Sequence, residues 1–317
     1  MHFFEEYYRN LEPELKAYFK IVSPEFPDFL IPFIETETMQ RLGKIDYFCG
    51  MYKASKAIYH FKYYLTRLDH SISVALITWH FTKNKEQTLA ALFHDAGTPA
   101  FSHVIDYLNN DLVIQESTEI DLNEVLNQDQ GGLELFEKIG LLVEQVAEYK
   151  AYPLVDNKRP KLCADRLDGI FISNLVWVQG TNLEEIKKIY ADIDLATNED
   201  DELEFNFKSK DMVALLLKRN QEINTLTHSD NDYYFMHLLA SIVRHLINMK
   251  IISYEDLYLL TEDVLYEKIE KATKIDEELT SLYQEFTSLE VVPPQKKMPI
   301  KERIIAPLVN GQRFYGK

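Results

Sequence analysis

Ser71-Ile-Ser-Val-Ala-Leu-Ile-Thr-Trp-His-Phe81 sets Val74, Ala75 and Ile77 ahead of Trp79 at spacings of three and four, the period of one helix face. The same spacing returns in Asp211 to Leu226, where Met212, Leu215, Leu216 and Ile223 share a face. Only 10 glycines and 11 prolines interrupt 317 residues, so such segments follow one another with few breaks and predict an all-α bundle. One small β-hairpin is expected, Lys188 to Ala196 against Leu203 to Phe207, across the acidic turn Asn198 to Glu202. It divides a helical catalytic core, residues 1–185, from a unit at 186–317 made of the hairpin and a C-terminal helical lobe packed on that core. Val291 to Pro299 (VVPPQKKMP) reads as an extended connector.

The composition is that of a globular chain, 46% hydrophobic and 27% charged. A formal charge of −17 repels a phosphate backbone over most of the surface, which argues against extended nucleic acid or anionic membranes and leaves room only for a local basic pocket. Two distant cysteines, Cys49 and Cys163, make neither a disulfide framework nor a thiolate zinc site. The N-terminal MHFFEEYYRN lacks the basic and apolar segments of a secretory signal, and no apolar run approaches the roughly 18 residues of a membrane span. A soluble, cytoplasmic protein is expected.

Three short pieces carry metal-binding residue types in order: Arg67-Leu-Asp-His70-Ser71, Phe93-His94-Asp95-Ala-Gly97 and Ala164-Asp165-Arg166-Leu-Asp168. The His-Asp pair closes the apolar stretch Leu89 to Phe93, so both side chains reach the edge of the core, where buried polar groups need partners. Two imidazoles and two carboxylates suit one divalent transition ion, manganese, iron, nickel, cobalt or zinc, with magnesium also admitted. Such an ion activates water for hydrolysis. Arg67, three residues before His70, projects from the same helix face and can grip a phosphate oxygen. Lys161 and Arg166 are further candidates for substrate phosphates, and Asp168 can orient a ligand.

Together with Phe101-Ser102-His103, these pieces resemble the H…HD…D pattern of the HD superfamily, in the branch of the deoxynucleoside triphosphate triphosphohydrolases. Weaker similarity extends through Met39-Gln40-Arg41-Leu42, Leu259-Leu260-Thr261-Glu262-Asp263 and Lys301-x-Arg303…Pro307-Leu308. The resemblance implies an HD-domain helical bundle and puts His70, His94, Asp95 and Asp165 at the metal-ligand positions. It also implies a phosphate contact for Arg67, a place near the leaving group for His103, and a homo-oligomer.

Two departures stand out. Thr98 occupies the place of a family histidine, and Gln115-Glu116-Ser117-Thr118-Glu119 replaces a segment that carries another; both features recur in a bacterial subgroup that this chain resembles more closely. Threonine does not shuttle protons near neutral pH, so that role falls to His103, Glu116 or metal-activated water. The candidate catalytic residues are thus His103, Glu116 and Asp95, and the candidate substrate contacts are Arg67, Thr98, Lys161 and Arg166. His60, His80, His228, His237 and His245 show no ligand-like grouping and read as structural. Of the aromatic residues, Tyr59, Tyr63 and Tyr64 are placed to meet a nucleobase, although packing also accounts for them. The expected function is a metal-dependent phosphohydrolase of a small phosphorylated substrate, a nucleotide. The alternatives are a catalytically reduced nucleotide-binding regulatory protein, and a phosphodiesterase of short oligonucleotides or cyclic nucleotides.

Overall fold

The computed structural model describes residues 3–113, 121–178, 180–296, 301 and 303–316. Seventeen α-helices and four short strands lie among them. The chain is mostly helical, and no helix among the described residues is long and apolar enough to cross a membrane.

Helix Arg67–Thr82 is the axis. Thr66 starts it with a capping box: its hydroxyl accepts from the Asp69 N–H, and the Asp69 carboxylate accepts from the Thr66 N–H at 2.7 Å. Every residue from Leu68 to Thr78 is buried, because helices Pro13–Val22, Lys85–Phe93 and Ala164–Val176 pack around it. A helix apolar on most sides is stable only when surrounded in this way. Each fully buried Leu or Ile contributes roughly 1.5–3 kcal/mol of transfer free energy. His70 and Ser73 lie inside this jacket; the Ser73 hydroxyl donates back to carbonyls of its own helix, whereas the His70 ring is partnered from helix Ala164–Val176.

Helix Lys85–Phe93 opens with the Asn84 side chain accepting from the Gln87 N–H at 3.1 Å. It stops at His94, where tight turns close from Ala96 N–H to the Phe93 carbonyl and from Thr98 N–H to the Asp95 carbonyl, both at 2.8 Å. His94 and Asp95 are thereby lifted off the helix end. The sequence predicts a helix from Phe101 to Asn109, but the helix formed is Val104–Leu108 and does not include Phe101 and Ser102. Those two residues have φ of 63° and 46°, left-handed backbone that ends any helix, and the Phe101 N–H is held instead by the buried Glu262 carboxylate at 2.9 Å.

The hairpin forms, with two corrections. Lys188 to Ala191 end helix Leu183–Ala191 rather than opening a strand, because Ile186, Ile189 and Tyr190 recur at helical spacing and are buried together. Strand Ile193–Thr197 then pairs antiparallel with Leu203–Phe207. The sheet also has four strands, not two: Leu308–Val309 pairs parallel with Asn206 and Phe207, and Gln312–Arg313 closes a second turn. Arg313 fastens this tail with donors to the buried carboxylate of Glu204. The anchored tail carries Lys301, Arg303 and Ile305 back to the helical body. In the expected connector, residues 291–296 form neither helix nor strand, and the remainder lies outside the described residues.

Candidate metal centre and its cavity

The ends of helices Arg67–Thr82, Lys85–Phe93 and Ala164–Val176 meet at the floor of a cavity of about 580 Å³. His70, His94, Asp95 and Asp165 come together there. His70 Nε2 lies 3.1 Å from Asp165 Oδ1 and 3.9 Å from Asp95 Oδ2; His94 Nε2 lies 3.8 Å from Asp165 Oδ1 and 3.9 Å from Asp95 Oδ2. Donor atoms that share an ion at about 2.1 Å sit roughly 3–3.5 Å apart; His70, His94 and Asp95 offer donor atoms within 4.8 Å of one another, and Asp165 approaches both imidazoles from its own side.

The chemistry of the donors points the same way. His94 Nδ1 donates to the Ala91 carbonyl at 2.7 Å, which leaves the lone pair on Nε2; that atom is buried with no hydrogen-bond partner. His70 Nδ1 donates to Asp168 Oδ2 at 2.7 Å, so its Nε2 also turns a lone pair toward carboxylate oxygens. Acceptors facing acceptors require positive charge between them. Burial by itself lowers the His70 ionisation, but hydrogen bonds with Asp165 and Asp168 outweigh it and hold the imidazole at about 10. Asp165 is likewise held well below the carboxylate range, burial being overcome by its bond to His70 and by the nearby His94 imidazole. A divalent cation supplies that charge in place of protons, so the four residues fit a metal.

Asp165 and Asp168 lie three apart on helix Ala164–Val176 and grip His70 from its two ring nitrogens. Asp168 is fully buried and is fixed in turn by the Tyr18 hydroxyl at 2.5 Å. Arg67 donates from Nη1 to Asp95 Oδ2 at 2.9 Å and from Nε to Ser102 Oγ at 3.3 Å, while its guanidinium lies over the Tyr47 ring. Its Nη2 has no partner among the described residues. Asp69, the nearby alternative partner of Arg67, is occupied by Thr66 and Tyr7.

The other expected site residues are distributed as follows. Thr98 lines the cavity, with its hydroxyl donating to Asp95 Oδ1 at 3.2 Å. His103 lines it from just before helix Val104–Leu108, with Nδ1 on Asp106 Oδ2 at 2.9 Å. Burial lowers the His103 ionisation and Arg303 and Arg67 add to that, against the opposing pull of Asp106. Arg166 lines the cavity but spends its donors on Asp156, Asn157 and the Lys161 carbonyl. Lys161 is not brought in: its ammonium sits on Asp200 at 2.5 Å and Glu202 at 2.6 Å. Glu116 lies outside the described residues. Asp156 and Cys163 approach Asp165 from behind, but the thiol donates to Asp156 and burial keeps it protonated, so a second thiolate-bound ion is not indicated.

Several wall residues have no local signature. Lys150, Arg159, Lys301 and Arg303 add cationic groups to Arg67 and Arg166. Burial pulls the Arg159 ionisation down to about 10, and the charges of Arg166 and Arg303 pull with it. These guanidinium groups gather against their own repulsion beside the carboxylates of Asp95, Asp156 and Asp165. His228, read from sequence as structural, also lines this wall, with Nδ1 on the Asn224 carbonyl at 2.7 Å. His237, by contrast, packs between Tyr107 and Tyr233, and His245 bonds Asp276.

No protein-family model matches the chain. It is 29% identical over 141 residues, 43% of its length, to the uncharacterized protein YdhJ of Bacillus subtilis. It is 31% identical over 104 residues, 33% of its length, to the metal-dependent phosphohydrolase cns2 of Cordyceps militaris. The chain spans 40% and 30% of the length of these two curated relatives.

Proposed function

We propose that this protein is a metal-dependent phosphohydrolase of the HD type that cleaves a phosphate ester or anhydride in a small molecule, a nucleotide. The observation that carries the reading is the buried, unpartnered Nε2 of His94, turned toward two carboxylates beneath a wall of guanidinium groups. Similarity to a protein named a metal-dependent phosphohydrolase supports it.

In this proposal His70, His94, Asp95 and Asp165 hold one divalent ion. When bound, the ion lowers the pKa of water and polarises a phosphoryl oxygen. Arg67 presents Nη2 to the phosphoryl group while Nη1 fixes Asp95. Arg159 and Arg303 neutralise the remaining anionic oxygens and orient the ester. His103, kept neutral by burial, accepts the proton of the attacking water at Nε2, with Nδ1 held by Asp106. The P–O bond to the leaving group breaks as the water oxygen bonds phosphorus. The ligands lie within residues 1–185, and the 186–317 unit contributes Arg303 to the cavity lining. A homo-oligomer belongs to the same proposal and is tested by gel filtration.

Thr98 lends some weight to a second reading, a regulatory protein that binds a nucleotide without cleaving it, because its hydroxyl serves Asp95 and cannot titrate. Incubating the metal-loaded protein with a nucleotide panel separates the two. Turnover that disappears in His94→Ala and Asp95→Ala supports the enzyme. Thermal stabilisation by a nucleotide without product supports the regulator. Turnover unchanged in both variants sinks the metal-based account.

A further inference from the structure

Away from the metal ligands the cavity wall is aromatic. Phe48 and Phe61 stack with centroids 4.4 Å apart, and Trp177 and Tyr59 pack against Phe61 at 5.4 Å and 5.5 Å. Into this apolar wall the chain sets one carboxyl group, Asp232, which is only 9% exposed. Its Oδ1 accepts from the Tyr59 hydroxyl at 2.9 Å. Its Oδ2 takes no hydrogen bond from the described residues, and Asp232 lines the cavity.

Asp232 lies in the first turn of helix Asp230–Asn248, where an exposed carboxylate would serve the helix dipole. That role does not explain its burial. Burial pushes its ionisation up to about 7, against the lowering effects of Tyr59 and Arg303. A carboxyl group half-satisfied by protein, beside aromatic faces, is completed by water or by a ligand that enters the cavity.

We propose that Asp232, held by the buried Tyr59, is a specificity-determining residue: it accepts a hydrogen bond from a ring N–H or exocyclic amine of a heteroaromatic group packed against the partly exposed Phe61 and Trp177. This rests on the reading that the cavity takes a nucleotide, and it names the feature of that nucleotide which is read. A carboxylate among aromatic faces also suits a quaternary ammonium group, so phosphocholine is the competing ligand that the titration must separate from a nucleotide. A cavity of about 580 Å³ is within the usual range for a ligand of that size.

Trp177 lines the cavity and reports on stacking there, so binding can be read without turnover. Chelator-treated full-length protein is titrated with the 5′-monophosphates of adenosine, guanosine, cytidine and uridine, and with phosphocholine and inorganic phosphate. At least one nucleotide quenches the fluorescence saturably, and Trp177→Phe removes the signal. Asp232→Asn raises the Kd of that nucleotide roughly tenfold or more. Its ring-N-methylated counterpart binds the unaltered protein about as weakly as the parent binds the variant. Equal Kd in both proteins, no response to any nucleotide, or a response to phosphocholine that Asp232→Asn abolishes overturns the proposal. A circular-dichroism melt of Asp232→Asn shows that the variant is folded. Failure of the phosphohydrolase reading is a different result: hydrolysis absent, or unaffected by His94→Ala, while this chelated binding persists.

Discussion

Asp168 Oδ2 accepts the Nδ1 hydrogen of His70 at 2.7 Å, and this one contact fixes which nitrogen of the ring faces the other ligands. Asp168→Asn keeps the shape but weakens the acceptor and allows the ring to turn. Outer partners of this kind contribute about 10–100-fold in metal affinity. Titration of Asp168→Asn with Mn²⁺ should show a loss in that range, and Tyr18→Phe, one bond further out, a smaller one. Unchanged affinity in Asp168→Asn removes it from the centre.

Arg67 combines a planar fork, an ion pair and a place over the Tyr47 ring. A lysine keeps the charge but cannot reproduce the paired geometry. Arg67→Lys should lower kcat/KM on the best phosphorylated substrate by roughly 10–100-fold, with the larger share in kcat. An effect confined to KM assigns Arg67 to ground-state binding alone.

Arg159 is held near Arg166 and Arg303 at an electrostatic cost. Arg159→Gln relieves that repulsion, so Tm should stay level or rise while KM for the phosphorylated substrate climbs about tenfold. A fall in Tm with unchanged KM marks Arg159 as structural.

Asp232 gives a pH signature of its own. Its ionisation is raised to about 7, against about 3.9 for an unfolded aspartate. Between those values the unfolded chain releases the proton while the folded chain keeps it, so folding stability falls as pH rises through the window. Asp232→Asn lacks the effect. Its Tm should exceed that of the unaltered protein by a few degrees above about pH 7, and the gap should close toward pH 4. A gap independent of pH contradicts the assignment.

The four residues proposed to hold the metal were legible because their signals are local. His94 and Asp95 end an apolar helix in the sequence as in the fold, and Asp165 and Asp168 sit at a spacing that puts both on one helix face. The same periodicity anticipated the helical body. It failed at Lys188 to Ala191, where a helix end resembles an alternating strand, and at Phe101 and Ser102, whose left-handed backbone depends on the distant Glu262. The tail strands could not be read because two-residue segments have no period and pair only through the fold. Arg159, His228 and Asp232 escaped, and Arg303 was matched without a role, for a related reason: packing over long sequence separations, rather than any neighbour in sequence, brings them to one cavity. Lys161 shows the converse, a cation close in sequence to the site whose charge the acidic turn at Asp200 and Glu202 takes up.

The central claim is that His70, His94, Asp95 and Asp165 share one ion. Anomalous diffraction from crystals grown with Mn²⁺ tests it most directly. The account predicts one strong peak within about 2.5 Å of His70 Nε2, His94 Nε2 and an oxygen of each aspartate. Absence of a peak at these four groups, with His94 Nε2 hydrogen-bonded to protein instead, would contradict it.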